Sequence, residues 1–188
     1  MQIILGSQSP RRQELLAGMG VEFTTVNIHA DESFPPELRG ADIPLYISRA
    51  KAAAYSTRLA PNQLLITSDT IVWADGQQLG KPVDEADAFR MLRMLSGRTH
   101  QVYTAVTLTT SEQQTSFVDT TDVTFRELTD KEIWFYIRHY HPLDKAGAYG
   151  IQEWIGYVAC TALHGSYFNV MGLPTEKLYV ALQQIKVL

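Results

Sequence analysis

Apolar and polar positions along this chain follow two periods, and the switches between them mark its elements. Residues 2–5 (Gln-Ile-Ile-Leu) are a short apolar run that predicts a buried strand. Ser9 then offers an N-cap and Pro10 suits a first helical position. A helix is therefore predicted from Pro10, closed by Gly18 and Gly20. Val21–Val26 has β-strand composition, and the acidic, proline-bearing stretch 29–40 is expected to be a loop. Helical spacing returns from Pro44 to about Leu59. An apolar strand is predicted over Leu64–Ser68 with Asp69-Thr70 at its end, followed by a second β-rich stretch, Ile71–Ala74, and a hairpin turn at Asp75-Gly76.

The second half continues in the same way. Phe89, Leu92 and Leu95 fall at helical spacing between Asp84 and Ser96, with Gly97 as the stop. Alternating segments 101–110 and 115–126 flank a polar turn and predict a β-hairpin. Thr129-x-x-Glu132 is a capping box opening another helix. Residues 142–152 are expected to be loop-like, 155–161 a strand, and 165–174 a glycine-flanked loop feeding a last helix headed by Pro174. Strands alternate with helices and some strands pair antiparallel. That order predicts a mixed α/β fold on a long curved sheet with flanking helices.

With 188 residues and 45% hydrophobic content, the chain can form one sizeable domain, with or without a small lobe. No apolar run approaches the ~18 residues that cross a membrane, and the N-terminus has no signal-peptide pattern, so no membrane role is expected. Cys160 is the sole cysteine, which rules out an internal disulfide and multi-cysteine zinc sites and suits a reducing, cytoplasmic setting. Its apolar neighbours make it a small core side chain. A net charge of −4 argues against a nucleic-acid coat and directs attention to where the few cations lie.

Those cations sit in telling places. Ser7-Gln8-Ser9-Pro10-Arg11-Arg12 spans a strand-to-helix junction, bringing unpaired N–H groups, hydroxyls and two guanidinium forks together. Helix dipoles disfavour cations there by roughly 0.3–1 kcal/mol each, so the placement points to an anion, phosphate above others. Asp69, at a predicted strand end, is placed to bind a metal or take a proton from water. Asp31-Glu32 supplies oxygen ligands of the kind Mg²⁺ or Mn²⁺ takes beside phosphates, although alone it reads as a solvated loop. Lys51 lies on a helix, and Lys81 is fixed between Gly80 and Pro82. The small-residue run 144–152 ends in Gln152, whose amide offers one donor and one acceptor, as does the N3–H/O4 edge of uracil or thymine. His100 is read as part of a turn without an evident partner, and P-loop and dinucleotide signatures are missing.

Six segments in order resemble the Maf family of nucleotide pyrophosphatases: Ser-x-Ser-Pro-Arg-Arg at 7–12, Ser-Asp-Thr-Ile-Val at 68–72, Gly-Lys-Pro at 80–82, Ser-Gly-Arg-Thr-His at 96–100, Asp-Lys-Ala-Gly-Ala-Tyr-Gly-Ile-Gln at 144–152, and Gly-Ser-Tyr…Gly-Leu-Pro at 165–174. The resemblance implies one domain over 1–188, with a fold like that of the inosine-triphosphate pyrophosphatases and a cleft between two lobes. It implies a homodimer, a divalent metal (Mg²⁺ or Mn²⁺), and hydrolysis of a nucleoside triphosphate to monophosphate and pyrophosphate. The Gly-Ala-Tyr-Gly-Ile-Gln ending is similar to the branch acting on dTTP and UTP. By the same similarity Asp69 matches the proton acceptor, and Arg11, Thr70 and Gln152 match positions governing substrate choice. Ser7, Arg12, Lys51 and Lys81 match other active-site positions, with Glu32 the metal position. Two alternatives stay open at this point: a nucleotide-binding regulator of septum formation, and a pyrophosphatase for other modified nucleotides.

Overall fold

The computed structural model describes residues 1–185. Its first half runs β1 (Gln2–Leu5), α1 (Pro10–Gly18), β2 (Phe23–Thr25), α2 (Asp42–Ala53), β3 (Gln63–Ala74), β4 (Gln77–Leu79) and α3 (Glu85–Leu95). The second half runs β5 (Thr99–Thr109), β6 (Gln114–Phe125), α4 (Asp130–Tyr140), α5 (Trp154–Ala159), β7 (Cys160–His164), α6 (Tyr167–Met171) and α7 (Thr175–Gln184). Two single 3₁₀ turns, Pro142–Asp144 and Ala146–Ala148, lie between α4 and α5. No helix among the described residues is long and apolar enough to cross a membrane.

One mixed sheet carries all seven strands, in the order β2-β1-β3-β5-β6-β7, with β4 also on β3. β1 pairs parallel with β2 and β3, and every other pairing is antiparallel. The mixed α/β expectation therefore holds.

The alternation in β3 explains how this sheet carries both a core and a site. On one face, Leu64 and Ile66 join α1 and α7 in one apolar cluster, while Val72 and Ala74 join α3, α4 and α5 in another. Between them the same face turns polar, with Ser68 and Thr70 on β3 and Thr104 on β5. On the opposite face Ile71 packs under Ile43 and Ile47 of α2, and the Thr67 hydroxyl donates to the Ser48 carbonyl oxygen at 2.7 Å. Period-2 burial thus gives two cores separated by a polar waist.

Several elements depart from the sequence expectation, each for a local reason. α2 begins at Asp42, since Pro44 is tolerated within a first turn whose N–H groups lack helical partners. It ends at Ala53 because Tyr55 and Leu59 turn down onto Ile4 and Leu65. β3 is continuous, so Asp69 sits in mid-strand and not at a strand end. Residues 154–159 are helical where a strand was expected: Ile155 and Ala159, four apart, are both buried, and only then does β7 begin. A Cβ on Gly156 would lie 1.7 Å from the Ile151 carbonyl oxygen, so the close turn there requires glycine. The loop expected at 165–174 contains α6, capped by the Ser166 side chain accepting from the Asn169 N–H.

Candidate functional site

The cleft arises from an interruption along one edge of the sheet. β1 pairs with β3 only as far as Leu5 opposite Ile66, and β4 resumes that edge at Val72 opposite Leu79. Among the described residues Thr67–Ile71 therefore have no strand partner on this side, while β5 pairs the other side throughout. A cavity of about 620 Å³ occupies the notch. Side chains from both faces of β3 reach it, Asp69 from the α2 face and Thr70 from the other. All nine residues that the family resemblance assigns to the site line it, namely Ser7, Arg11, Arg12, Glu32, Lys51, Asp69, Thr70, Lys81 and Gln152, whereas Asp31 does not.

Asp69 is 8% exposed, deep in the notch. Lys51, one turn from the end of α2, places its Nζ 2.7 Å from Asp69 Oδ1 and 2.9 Å from Glu32 Oε1. Burial pushes the Asp69 carboxyl above its ordinary range, against the opposing pull of Lys51 and Arg12. Burial acts on Glu32 in the same sense, but the hydrogen bond and charge of Lys51, with Lys81 and Arg12, bring it below the usual value. Two carboxylates of different character thus flank one ammonium group. Among the described residues there is no group of three or more His, Cys, Asp or Glu side chains able to hold a metal alone.

The basic junction takes a more definite shape than its sequence suggested. Ser9 occupies the N-cap position, yet its side chain makes no capping bond; its N–H donates instead to Ser7 Oγ at 3.2 Å. The first-turn N–H groups of Arg11 and Arg12 keep no intrahelical partner. Arg12 is held rigidly, with Nε donating to the Gly172 carbonyl at 2.8 Å and Nη2 to Thr70 Oγ1 at 3.0 Å. Thr70 Oγ1 in turn lies 3.0 Å from Thr104 Oγ1. Arg11 reaches across the cleft, where its Nη1 is 3.4 Å from Asp144 Oδ2. Lys81 is exposed and forms no ion pair among the described residues. Its turn is anchored by the Gly147 N–H, which donates to the Gly80 carbonyl at 3.0 Å.

The far wall of the cleft is the 144–152 segment carrying Gln152. Its Tyr149 hydroxyl lies 2.7 Å from His100 Nε2 in a pocket shared with Phe125. His100 is therefore a buried anchor and not a partnerless turn residue, and burial pulls its imidazole down to about 4. Lys145 stood within the 144–152 motif without a role of its own, and two further polar residues, Glu153 and Tyr136, escaped the sequence reading. Lys145 meets Asp144 and Glu153, and the Tyr136 hydroxyl donates to Glu153. A lysine inside a run of small residues was the available signal for Lys145. Tyr136 falls at core spacing with Ile133 and Ile137, which conceals its hydroxyl. Cys160 packs partly buried against the larger core, as its neighbours implied, and burial pushes its thiol up.

Comparison with known proteins agrees with this architecture. The chain matches the family described as "Maf-like protein" over residues 2–185. It is 55% identical over 185 residues to a Bacteroides fragilis protein named dTTP/UTP pyrophosphatase, covering 98% of this chain and 96% of that one. Proteins of the same name from Porphyromonas gingivalis (49% identity, 97% and 93% coverage) and Parabacteroides distasonis (47%, 97% and 95%) are also similar. Among solved structures, the Staphylococcus aureus Ham1 protein aligns over 99% of this chain and 100% of its own, with a TM-score of 0.55 at 14% identity, a likeness of fold. Notch, motif order and full-length similarity lead to one conclusion: this chain belongs to the Maf family.

Proposed function

We propose that the protein hydrolyses dTTP and UTP to the monophosphate and pyrophosphate, a house-cleaning activity on nucleotide pools. The observation that carries this is the convergence of Arg11, Arg12, Lys51 and Lys81, from three segments of chain, on one cavity that also holds a buried carboxylate. The name shared by relatives at up to 55% identity supports the same substrates.

Each side chain has a task that its position suits. Arg11, Arg12, Lys51 and Lys81 neutralise the triphosphate, aided by the α1 N-terminus and the Ser7 hydroxyl. Asp69 accepts a proton from the attacking water; its raised affinity for protons makes it a better base than an exposed aspartate. The water oxygen bonds to the α-phosphorus as that phosphorus releases the oxygen bridging it to the β-phosphate, and pyrophosphate leaves with its charge held by the same cations. Charge stabilisation contributes more than proton transfer, because phosphoryl chemistry depends mainly on positioning and electrostatics.

A divalent cation fits the donor set. Glu32, half exposed on the cleft wall, supplies one carboxylate, which suits Mg²⁺ or Mn²⁺, ions that take most of their ligands from phosphate and water. Such an ion would supply charge neutralisation of the phosphate oxygens. Gln152, whose amide forms no hydrogen bond with another side chain among the described residues, reads the N3–H/O4 edge of uracil or thymine. A cytoplasmic homodimer belongs to the same proposal, with sedimentation as its check.

The experiment is pyrophosphate release from a panel of canonical and modified triphosphates, with and without Mg²⁺ or Mn²⁺. The proposal requires dTTP and UTP to exceed CTP and purine nucleotides in kcat/KM. Binding without release would identify a nucleotide sensor instead.

A further inference from the structure

Behind Gln152 lies a polar chain that joins cavity-lining Asp144, Lys145 and Gly150 to Tyr136 and Glu153, which stand outside the lining. The Gly150 N–H donates to the Tyr136 hydroxyl oxygen at 3.0 Å, and that hydroxyl donates to Glu153 Oε2. Glu153 Oε1 is 3.2 Å from Lys145 Nζ, which also lies 2.8 Å from Asp144 Oδ1. Tyr136 is fully buried, and the Lys145 and Glu153 side chains are only 9% and 20% exposed. Burying an ion pair is rarely the cheapest way to stabilise a fold, since apolar groups of similar volume often do as well. The arrangement instead fixes direction. A Cβ on Gly150 would lie 3.1 Å from Gln152 Nε2 and 3.1 Å from Glu153 Cδ, so the amide and the carboxyl group fold over the same glycine.

We propose that Tyr136 and Glu153 are positioning residues for base selection: together they clamp the turn on both sides of Gln152 and set where that turn presents its amide. Residue 150 is held from behind by the Tyr136 hydroxyl, residue 153 by the same hydroxyl and by Lys145. The two residues flanking the intervening pair thereby share one oxygen atom. A turn free to shift would carry the Gln152 amide away from the base edge it must meet, and a displaced amide would no longer separate uracil from cytosine. The inference rests on Gln152 reading the base, as proposed above.

The test compares kcat and KM for UTP and CTP in the native protein and in Tyr136→Phe, Glu153→Ala, Glu153→Gln and Gln152→Ala, with melting temperatures alongside. Tyr136→Phe and Glu153→Ala are expected to lower the UTP/CTP preference about threefold to tenfold, mainly through KM for UTP, the coupling usual between touching side chains. Glu153→Gln, which keeps an acceptor for the tyrosine, should restore part of that preference. If Gln152→Ala loses the preference while Tyr136→Phe and Glu153→Ala keep it, the clamp is overturned and base reading by Gln152 stands. If Gln152→Ala itself keeps the preference, base reading falls and the clamp with it. Loss of activity on both nucleotides in parallel with melting temperature would show a merely structural role and also overturn the clamp.

Discussion

The two ends of the cleft are built in opposite ways. The anion end gathers Ser7, Arg11, Arg12, Glu32, Lys51, Asp69 and Lys81 from five segments of chain, and its charges meet only because the sheet leaves an edge open. The far wall is one contiguous segment, 144–153, secured by contacts to α4 and β5. At the first end, function depends on charges being brought together; at the second, on a short loop being held still. Mutations should therefore act differently on the two, chiefly on turnover at the anion end and on selectivity or stability at the wall.

Among the residues that hold the nucleotide, Lys51→Met should have the largest effect. It leaves Asp69 and Glu32 facing each other without their shared cation, and kcat/KM for dTTP should fall about 10²–10³-fold, the usual loss for a charge-stabilising group. Steady-state pyrophosphate release measures it, and a loss confined to the UTP/CTP ratio would break the contrast. Gln152→Ala should do the reverse, reducing the UTP/CTP ratio about tenfold or more with a smaller change in kcat for UTP, because mismatched polar edges are strongly rejected only where the site holds its own polar group in place. Competition between UTP and CTP in one reaction reads that ratio directly.

His100 gives the wall a pH dependence of its own. Its folded pKa is depressed from 6.5 to about 4, so below pH 6.5 the unfolded chain takes up a proton that the folded chain refuses. This stabilisation is complete above about pH 6.5 and is lost as pH falls toward 4, amounting to about 3 kcal/mol. His100→Gln should flatten that part of the stability-against-pH curve in denaturant melts; an unchanged slope would contradict the assignment. The smallest effect is expected from Asp144→Asn, which removes the Arg11–Asp144 ion pair between the two ends. The Arg11–Asp144 pair is solvent-exposed at 3.4 Å, and such pairs contribute roughly 0–1 kcal/mol, so kcat/KM should change less than about threefold. A larger change would show that the ends act as one unit.

The same contrast governs what the sequence disclosed. Residue types that state their chemistry in a short motif were readable: the arginine pair after Pro10, Gly80-Lys81-Pro82, and the small-residue run ending at Gln152. Period-2 and helical spacing located most strands and helices, because burial on one face follows from side-chain direction alone. What stayed hidden depends on the third dimension. Asp69 looked like a strand end because the polar run Thr67–Thr70 interrupts an apolar one, whereas the interruption is the waist between two cores. His100 looked partnerless because Tyr149 lies 49 residues away. Glu153 stands one residue beyond the motif, and its partner Tyr136 carries the pattern of a core residue. Residues 154–159 satisfied strand and helix spacing over too short a window to separate the two.

The central claim is that the buried carboxylate at residue 69 works on water while the surrounding cations hold the nucleotide. Asp69→Asn, near-isosteric and still able to accept from Lys51, separates these tasks. Single-turnover hydrolysis of dTTP should fall about 10²–10⁴-fold, the range of general-base catalysis, while the Kd of dTTP measured by calorimetry changes little. Near-native turnover in that variant, or loss of binding in step with turnover, would contradict the account.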